Sequence, residues 1–183
     1  MSNVLALLAE GFEELEFIAP LDILRRAGVN VTIAALADDN RVIGRSGVTL
    51  FADTTLDDWL SAATLPLADM LLLPGGPGVK LLRADLRVVA LAKVHAAAKR
   101  WLAAICAAPT VLNDAGLLAG RRYTCHTSVL DELPAALKDE RVVVDGNIIT
   151  SRGAGTAIDF GLVLVEKLIS PEKAREIYTS ICA

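Results

Sequence analysis

Cys106 lies in the run Ala104-Ile105-Cys106-Ala107-Ala108-Pro109, where an apolar stretch ends, the side chains become small and a proline follows three residues later. Proline fits the first turn of a helix, because its missing N–H would have found no partner there. The pattern places the thiol at a sharp strand-to-helix elbow, a partial match to the nucleophile elbow of hydrolases, which prefers glycines. Unpaired N–H groups and the macrodipole at a helix start favour a thiolate over a thiol, giving a nucleophile suited to a small carbonyl compound. A free cysteine is more often a small buried hydrophobe. Here the position at the elbow argues for chemistry.

Two other segments carry groups that such a nucleophile needs. Gly75 and Gly76, in Pro74-Gly75-Gly76-Pro77-Gly78, permit close backbone approach, so their N–H groups and that of Ala107 could form an oxyanion hole. Pro74 to Lys80 lacks the Gly-Lys-Ser/Thr spacing of a phosphate loop, which argues against nucleotide hydrolysis. Glu13, Glu14 and Glu16 follow the first apolar run, and their ordinary role is to stabilise a helix start through its dipole. One of them, turned inward and protonated, could donate a hydrogen bond to the thiolate, stabilising the ionised sulfur, and later deliver that proton. Periodicity does not select which.

Of the two histidines, His126 follows an expected strand and could reach the same crevice, whereas His95 falls on the flank of a helical stripe and reads as a boundary residue. Cys125 alternates to the opposite face and reads as a buried structural thiol. Gly153-Ala154-Gly155-Thr156 reads as a tight turn with Thr156 as a helix cap.

The elements that must position these residues alternate along the chain. Apolar runs at Asn3–Ala9, Val31–Ala35, Ala68–Leu73 and Trp101–Ile105 predict buried strands, and Arg122–Cys125, Val142–Val144 and Ile148–Thr150 predict later ones. Helical spacing covers 14–26, 86–99, 157–168 and 171–178, and Val42–Phe51 suggests a hairpin at one edge of the sheet. Strand-helix alternation implies right-handed crossovers and a mostly parallel sheet covered on both faces. Ligands of such sheets sit beyond the carboxyl ends of the strands, where the acidic cluster, the glycine loop and Cys106 all fall.

The chain's 183 residues are compatible with one domain spanning 1–183, and no linker or repeat interrupts them. A net charge of −4, with both signs distributed along the chain, gives no basic stripe for nucleic acid. Three cysteines at irregular spacing signal neither a disulfide framework nor a zinc site and fit a reducing compartment. The apolar run Val4–Ala9 is too short to span a membrane and lacks the pattern of a signal peptide. The expectation is a cytoplasmic protein.

With Gly11-Phe12-Glu13-Glu14-Leu15-Glu16, Leu73-Pro74-Gly75-Gly76, the cysteine elbow and Thr150-Ser151-Arg152-Gly153-Ala154-Gly155-Thr156 in that order, the chain resembles the ThiJ/PfpI superfamily nearly from end to end. It is most similar to the branch of the human parkinsonism-associated deglycase and the bacterial ThiJ-like chaperones. The resemblance implies a flavodoxin-like three-layer α/β/α sandwich and a homodimer. It also implies Glu16 as the carboxyl partner of Cys106, and His126 close to the sulfur. Two departures bear on substrate choice and on how an oxidised cysteine is held: Gly44-Arg45-Ser46-Gly47 replaces a Ser-before-Arg order, and Thr127 replaces a proline after His126.

The leading expectation is a glyoxalase or deglycase acting on methylglyoxal or glyoxal without metal or redox cofactor, because an α-oxoaldehyde supplies both the carbon to be oxidised and the carbon to be reduced. The alternative is a redox sensor or stress chaperone controlled by oxidation of Cys106 to the sulfinic acid. A peptidase or amidase is disfavoured, because Ala107 stands where the protease branch has a histidine.

Overall fold

The computed structural model describes residues 1–62 and 67–183. The chain runs β1 (Asn3–Leu8), α1 (Glu14–Arg26), β2 (Asn30–Ala35), β3 (Arg41–Ile43), β4 (Thr49–Phe51), β5 (Thr54–Thr55) and α2 (Leu56–Ser61). It continues with β6 (Met70–Leu73), α3 (Val79–Ala84), α4 (Leu86–Ala97), β7 (Trp101–Ile105) and α5 (Pro109–Asp114), then β8 (Val142–Asp145), β9 (Ile148–Ser151), α6 (Ala157–Leu168) and α7 (Pro171–Ser180).

Seven strands form one sheet in the order β5-β2-β1-β6-β7-β9-β8, parallel throughout except where β8 runs against β9. Successive side chains of a strand point to opposite faces, and here both faces are covered. Val4, Ala6 and Leu8 of β1 join a core with Phe17 and Leu24 of α1 and Phe160 and Leu164 of α6. Leu5 and Leu7 join a second core with Leu56 of α2, Val88 and Leu91 of α4, and Val111 of α5. Strands buried on both faces explain the near-continuous apolar runs in the sequence. The result is the flavodoxin-like α/β architecture, mostly parallel.

Four local expectations are corrected. The hairpin of β3 and β4 is a separate two-stranded sheet, not an edge of the main one. It is tied instead to the loop after β1: Gly11 N–H donates to Ile43 C=O (2.8 Å), Arg45 N–H to Phe12 C=O (2.9 Å) and Ile43 N–H to Glu10 Oε2 (2.9 Å). Residues 122–125 form no strand, because the Thr124 N–H donates to Thr150 Oγ1 (2.9 Å) and not to a neighbouring backbone. His95 is fully buried, not at a boundary, with Nδ1 2.8 Å from the Leu91 carbonyl of its own helix. Thr156 occupies the position before α6 but makes no forward cap; its Oγ1 accepts the Gly153 N–H (3.2 Å) and lies 2.6 Å from Ser151 Oγ.

Candidate active site

The carboxyl ends of β1, β6, β7 and β9 lie side by side in the sheet, and the segment after each brings one part of the site. After β7 the chain turns through Cys106 with φ +65°, a left-handed conformation that costs a non-glycine residue about 1–2 kcal/mol. Two hydrogen bonds hold it there: Cys106 N–H to Ser151 C=O and His126 N–H to Cys106 C=O, both 2.8 Å. The second bond is what brings the His126 segment to the elbow. Pro109 then opens α5, as the sequence pattern requires.

After β1, the Glu13 side chain accepts the Glu16 N–H at 2.9 Å and so caps α1. Glu14 takes a different part: its Oε1 accepts the Ser46 N–H at 2.7 Å, clamping the turn between β3 and β4. Glu16 alone of the three is buried, at 2% exposure, and it points inward. Its meeting point with Cys106 is the empty side of Gly75. A Cβ there would collide with Glu16 Oε2 and would sit 2.5 Å from Cys106 Cβ and 3.0 Å from Sγ. Gly153 marks a second convergence, where an added Cβ would lie 3.3 Å from His126 Cδ2 and 3.6 Å from Glu16 Oε1.

The N–H groups divide between the two side chains. Those of Gly76 and Ala107 face the sulfur and favour its anion. The Gly75 N–H faces the Glu16 carboxyl, as does that of Ala154, and Gly75 does not line the cavity. Gly76 has φ +91°, and a Cβ on it would lie 2.6 Å from Gly11 C=O and from the Glu13 N–H, so only glycine can take this turn.

Burial raises the Glu16 carboxyl to about 7, with the charge of Glu13 adding to it and the Cys106 thiol, Gly75 and Ala154 opposing it. Burial also pushes the Cys106 thiol up, to about 12, reinforced by the charge of the neighbouring Glu16, against the pull of Gly76 and Ala107. The expectation of a thiol lowered by a helix start therefore needs correcting: α5 is only six residues long, and burial beside a carboxylate outweighs it. Glu16 and Cys106 do not both ionise near neutral pH: the pair gains a single negative charge as pH rises through about 7.

A cavity of about 530 Å³ opens over the pair, lined among others by Glu16, Cys106, Ala107 and His126, with Arg45 and Lys80 bringing positive charge to it. Neither Arg45 nor Lys80 has an ion-pair partner among the described residues. A buried thiol, a carboxyl with a pKa near neutrality and convergent N–H donors can add sulfur to a carbonyl carbon and move the displaced proton.

The DJ-1/PfpI family model matches residues 2–167. DJ-1alpha of Drosophila melanogaster is 40% identical over 179 residues, covering 96% of this chain and 81% of that protein. The glutathione-independent glyoxalase DJR-1.2 of Caenorhabditis elegans is 34% identical, over 99% of this chain and 96% of its own. The chain belongs to the DJ-1/PfpI family. Among solved structures, the oxidized DJ-1 of Toxoplasma gondii superposes with a TM-score of 0.91 at 33% identity, covering 100% of this chain and 98% of that one.

Family membership leaves several residues of this particular site unannounced. Ser128, Lys80, Thr110 and Ala154 line the cavity, and none stands out by type or spacing. Ser128 leaves one trace, a hydroxyl residue two places after a histidine, where the histidine side chain accepts the Ser128 N–H and caps the short 3₁₀ turn Thr127–Val129.

Proposed function

We propose that the protein is a glutathione-independent glyoxalase or deglycase-type enzyme that protects against reactive α-oxoaldehydes such as methylglyoxal and glyoxal. The convergence of Glu16 and Cys106 at the empty side of Gly75, under an open cavity, carries the reading. The relative named as a glutathione-independent glyoxalase supports it.

In this reading Cys106 sulfur bonds to the aldehyde carbon while Glu16 takes the thiol proton, and the proton returns to the aldehyde oxygen to give a hemithioacetal. Glu16 then removes the hydrogen from that carbon and a proton is delivered to the neighbouring carbon, while the hydroxyl proton of the first oxygen passes to the second, so that the first carbon is oxidised to a thioester and the second reduced to an alcohol. Water cleaves the thioester, releasing a 2-hydroxy acid and the free thiol. Negative charge on the oxygen beside sulfur rests against the Gly76 and Ala107 N–H groups, while Gly75 holds the carboxyl. No redox or metal cofactor enters the balance. The test is lactate formation from methylglyoxal without glutathione, which should be lost in Cys106→Ser; turnover retained in that variant would overturn the reading.

Oxidation of Cys106 to the sulfinic acid, with a role as redox sensor or chaperone, is a second reading, supported by the solved relative named as oxidized. Mild peroxide would then add two oxygens to Cys106 in the intact-protein mass, and an unchanged mass would remove this reading.

We further propose that the chain forms a homodimer. Leu15 (60% exposed) and Ile18 lie on α1, Ile158 on the adjoining α6, and Val48 and Phe51 (72%) on the hairpin fastened to the start of α1. Exposed apolar side chains on neighbouring elements suit a second copy. Phe51→Glu is expected to shift the mass in solution from dimer to monomer. Among the described residues no helix is long and apolar enough to cross a membrane. Its three free thiols suit a reducing compartment, and we place the protein in the cytoplasm.

A further inference from the structure

His126 Nδ1 lies 2.9 Å from Ser128 Oγ and accepts the Ser128 backbone N–H at 3.2 Å. A backbone N–H can only donate, so Nδ1 must present its lone pair, and the Ser128 hydroxyl can add its own proton to the same atom. In a neutral imidazole with Nδ1 engaged in this way, the proton sits on Nε2. Cδ2 is the ring atom that comes within 4 Å of the point over Gly153, at 3.3 Å, with Glu16 Oε1 3.6 Å from the same point, and Nε2 is bonded to Cδ2 on the side of the ring away from Nδ1. His126 lines the cavity together with Cys106 and Glu16.

We infer that Ser128 fixes His126 as an Nε2–H hydrogen-bond donor, and that this donor serves the second oxygen of an α-oxoaldehyde, the ketone oxygen remote from sulfur. The inference rests on the glyoxalase reading for its substrate, not for its tautomer. It divides the work of the site. Gly76 and Ala107 face the oxygen beside sulfur, Glu16 moves the hydrogen between the two carbons, and His126 holds the oxygen that gains charge as that hydrogen leaves. His126 then has no part as a base, because the atom that would take a proton already accepts from Ser128. Ser128 is a positioning residue; only His126 touches substrate.

The second histidine of the chain provides an internal reference. His95 Nδ1 lies 2.8 Å from the Leu91 carbonyl and must donate to it, so His95 carries its proton on Nδ1, the other tautomer from His126. Nitrogen-15 spectra of the full chain labelled in histidine should show one ring of each tautomer, assigned with the His95→Leu variant. An Nδ1–H signal for His126 would overturn the inference whatever the enzyme's activity, so its failure is separable from failure of the glyoxalase reading. Ser128→Ala keeps the backbone N–H and removes the hydroxyl. It should move part of the His126 signal toward the other tautomer and lower kcat several-fold with little change in KM; an unchanged spectrum and kcat would remove Ser128 from the account. Where methylglyoxal turnover is present, His126→Gln, whose amide N–H₂ occupies the place of Nε2–H, should stay within about five-fold of wild type while His126→Ala loses on the order of 10²-fold. Equal losses in the two variants would overturn the donor role.

Discussion

Glu16 and His95 are both buried ionisable residues, 2% and 0% exposed, and each has one polar atom with no partner among the described residues, Oε2 of the glutamate and Nε2 of the histidine. Burial shifts both toward the neutral form, raising the carboxyl to about 7 and lowering the imidazole. Their surroundings differ. Glu16 lies where four inter-element segments meet and beneath an open cavity, whereas His95 is folded back onto a carbonyl of its own helix, alongside the buried Val88, Leu91 and Ala92 of α4. A perturbed pKa marks a buried group; convergence with a nucleophile, N–H donors and an entrance makes that group chemical.

The sharpest way to break this contrast is to remove the ionisable group of each residue with little change in volume. Glu16→Gln should lower glyoxalase turnover by about 10²–10⁴-fold, the usual worth of a positioned acid-base group, while His95→Leu should leave it within two-fold. Comparable losses from both would mean that burial, not position, was being measured.

A smaller effect tests Gly75. An alanine methyl at this position must displace Glu16, Cys106 or the loop itself, so Gly75→Ala should reduce turnover about 10²-fold, while Gly155→Ala, with nothing within 4 Å of the added Cβ, should not change it.

Stability against pH separates the two residues by sign. The folded Glu16 pKa lies above its unfolded value, so between about pH 4.5 and 7 the folded state binds more protons and stability falls as pH rises. Glu16→Gln removes that loss and should stabilise the protein above pH 7 by about 1–3 kcal/mol. The folded His95 pKa lies below its unfolded value, so stability is lost as pH falls below about 6.5, and His95→Leu should flatten that limb. Urea titrations of wild type and both variants at pH 5, 6, 7 and 8 distinguish the two slopes; slopes of the same sign would contradict the assignment.

Position is also what the sequence conveyed unevenly. Local signals marked the elbow, since an apolar run followed by small residues and Pro109 can turn only there, and the strand-helix alternation was equally local. The choice of Glu16 among three glutamates was not: Glu13 and Glu14 are taken up by the α1 cap and the Ser46 N–H, contacts that depend on how the hairpin folds over the loop. The raised thiol escapes a reading based on the helix dipole because its largest causes are burial, which depends on the whole fold, and the charge of Glu16, 90 positions away in the chain. Residues 122–125 read as a strand in the sequence, and Tyr123 and Cys125 are indeed buried, yet the partner of the Thr124 N–H is a threonine hydroxyl across the fold.

The proposed chemistry turns on one proton held between Glu16 and Cys106. Lactate formation from methylglyoxal without glutathione, measured against pH for wild type, Cys106→Ser and Glu16→Gln at matched folding, addresses that proton directly. The expected result is turnover that rises through pH 7 in wild type, as Glu16 becomes able to accept the thiol proton, and that is lost in both variants. Full turnover in Glu16→Gln, with the same rise, would contradict it.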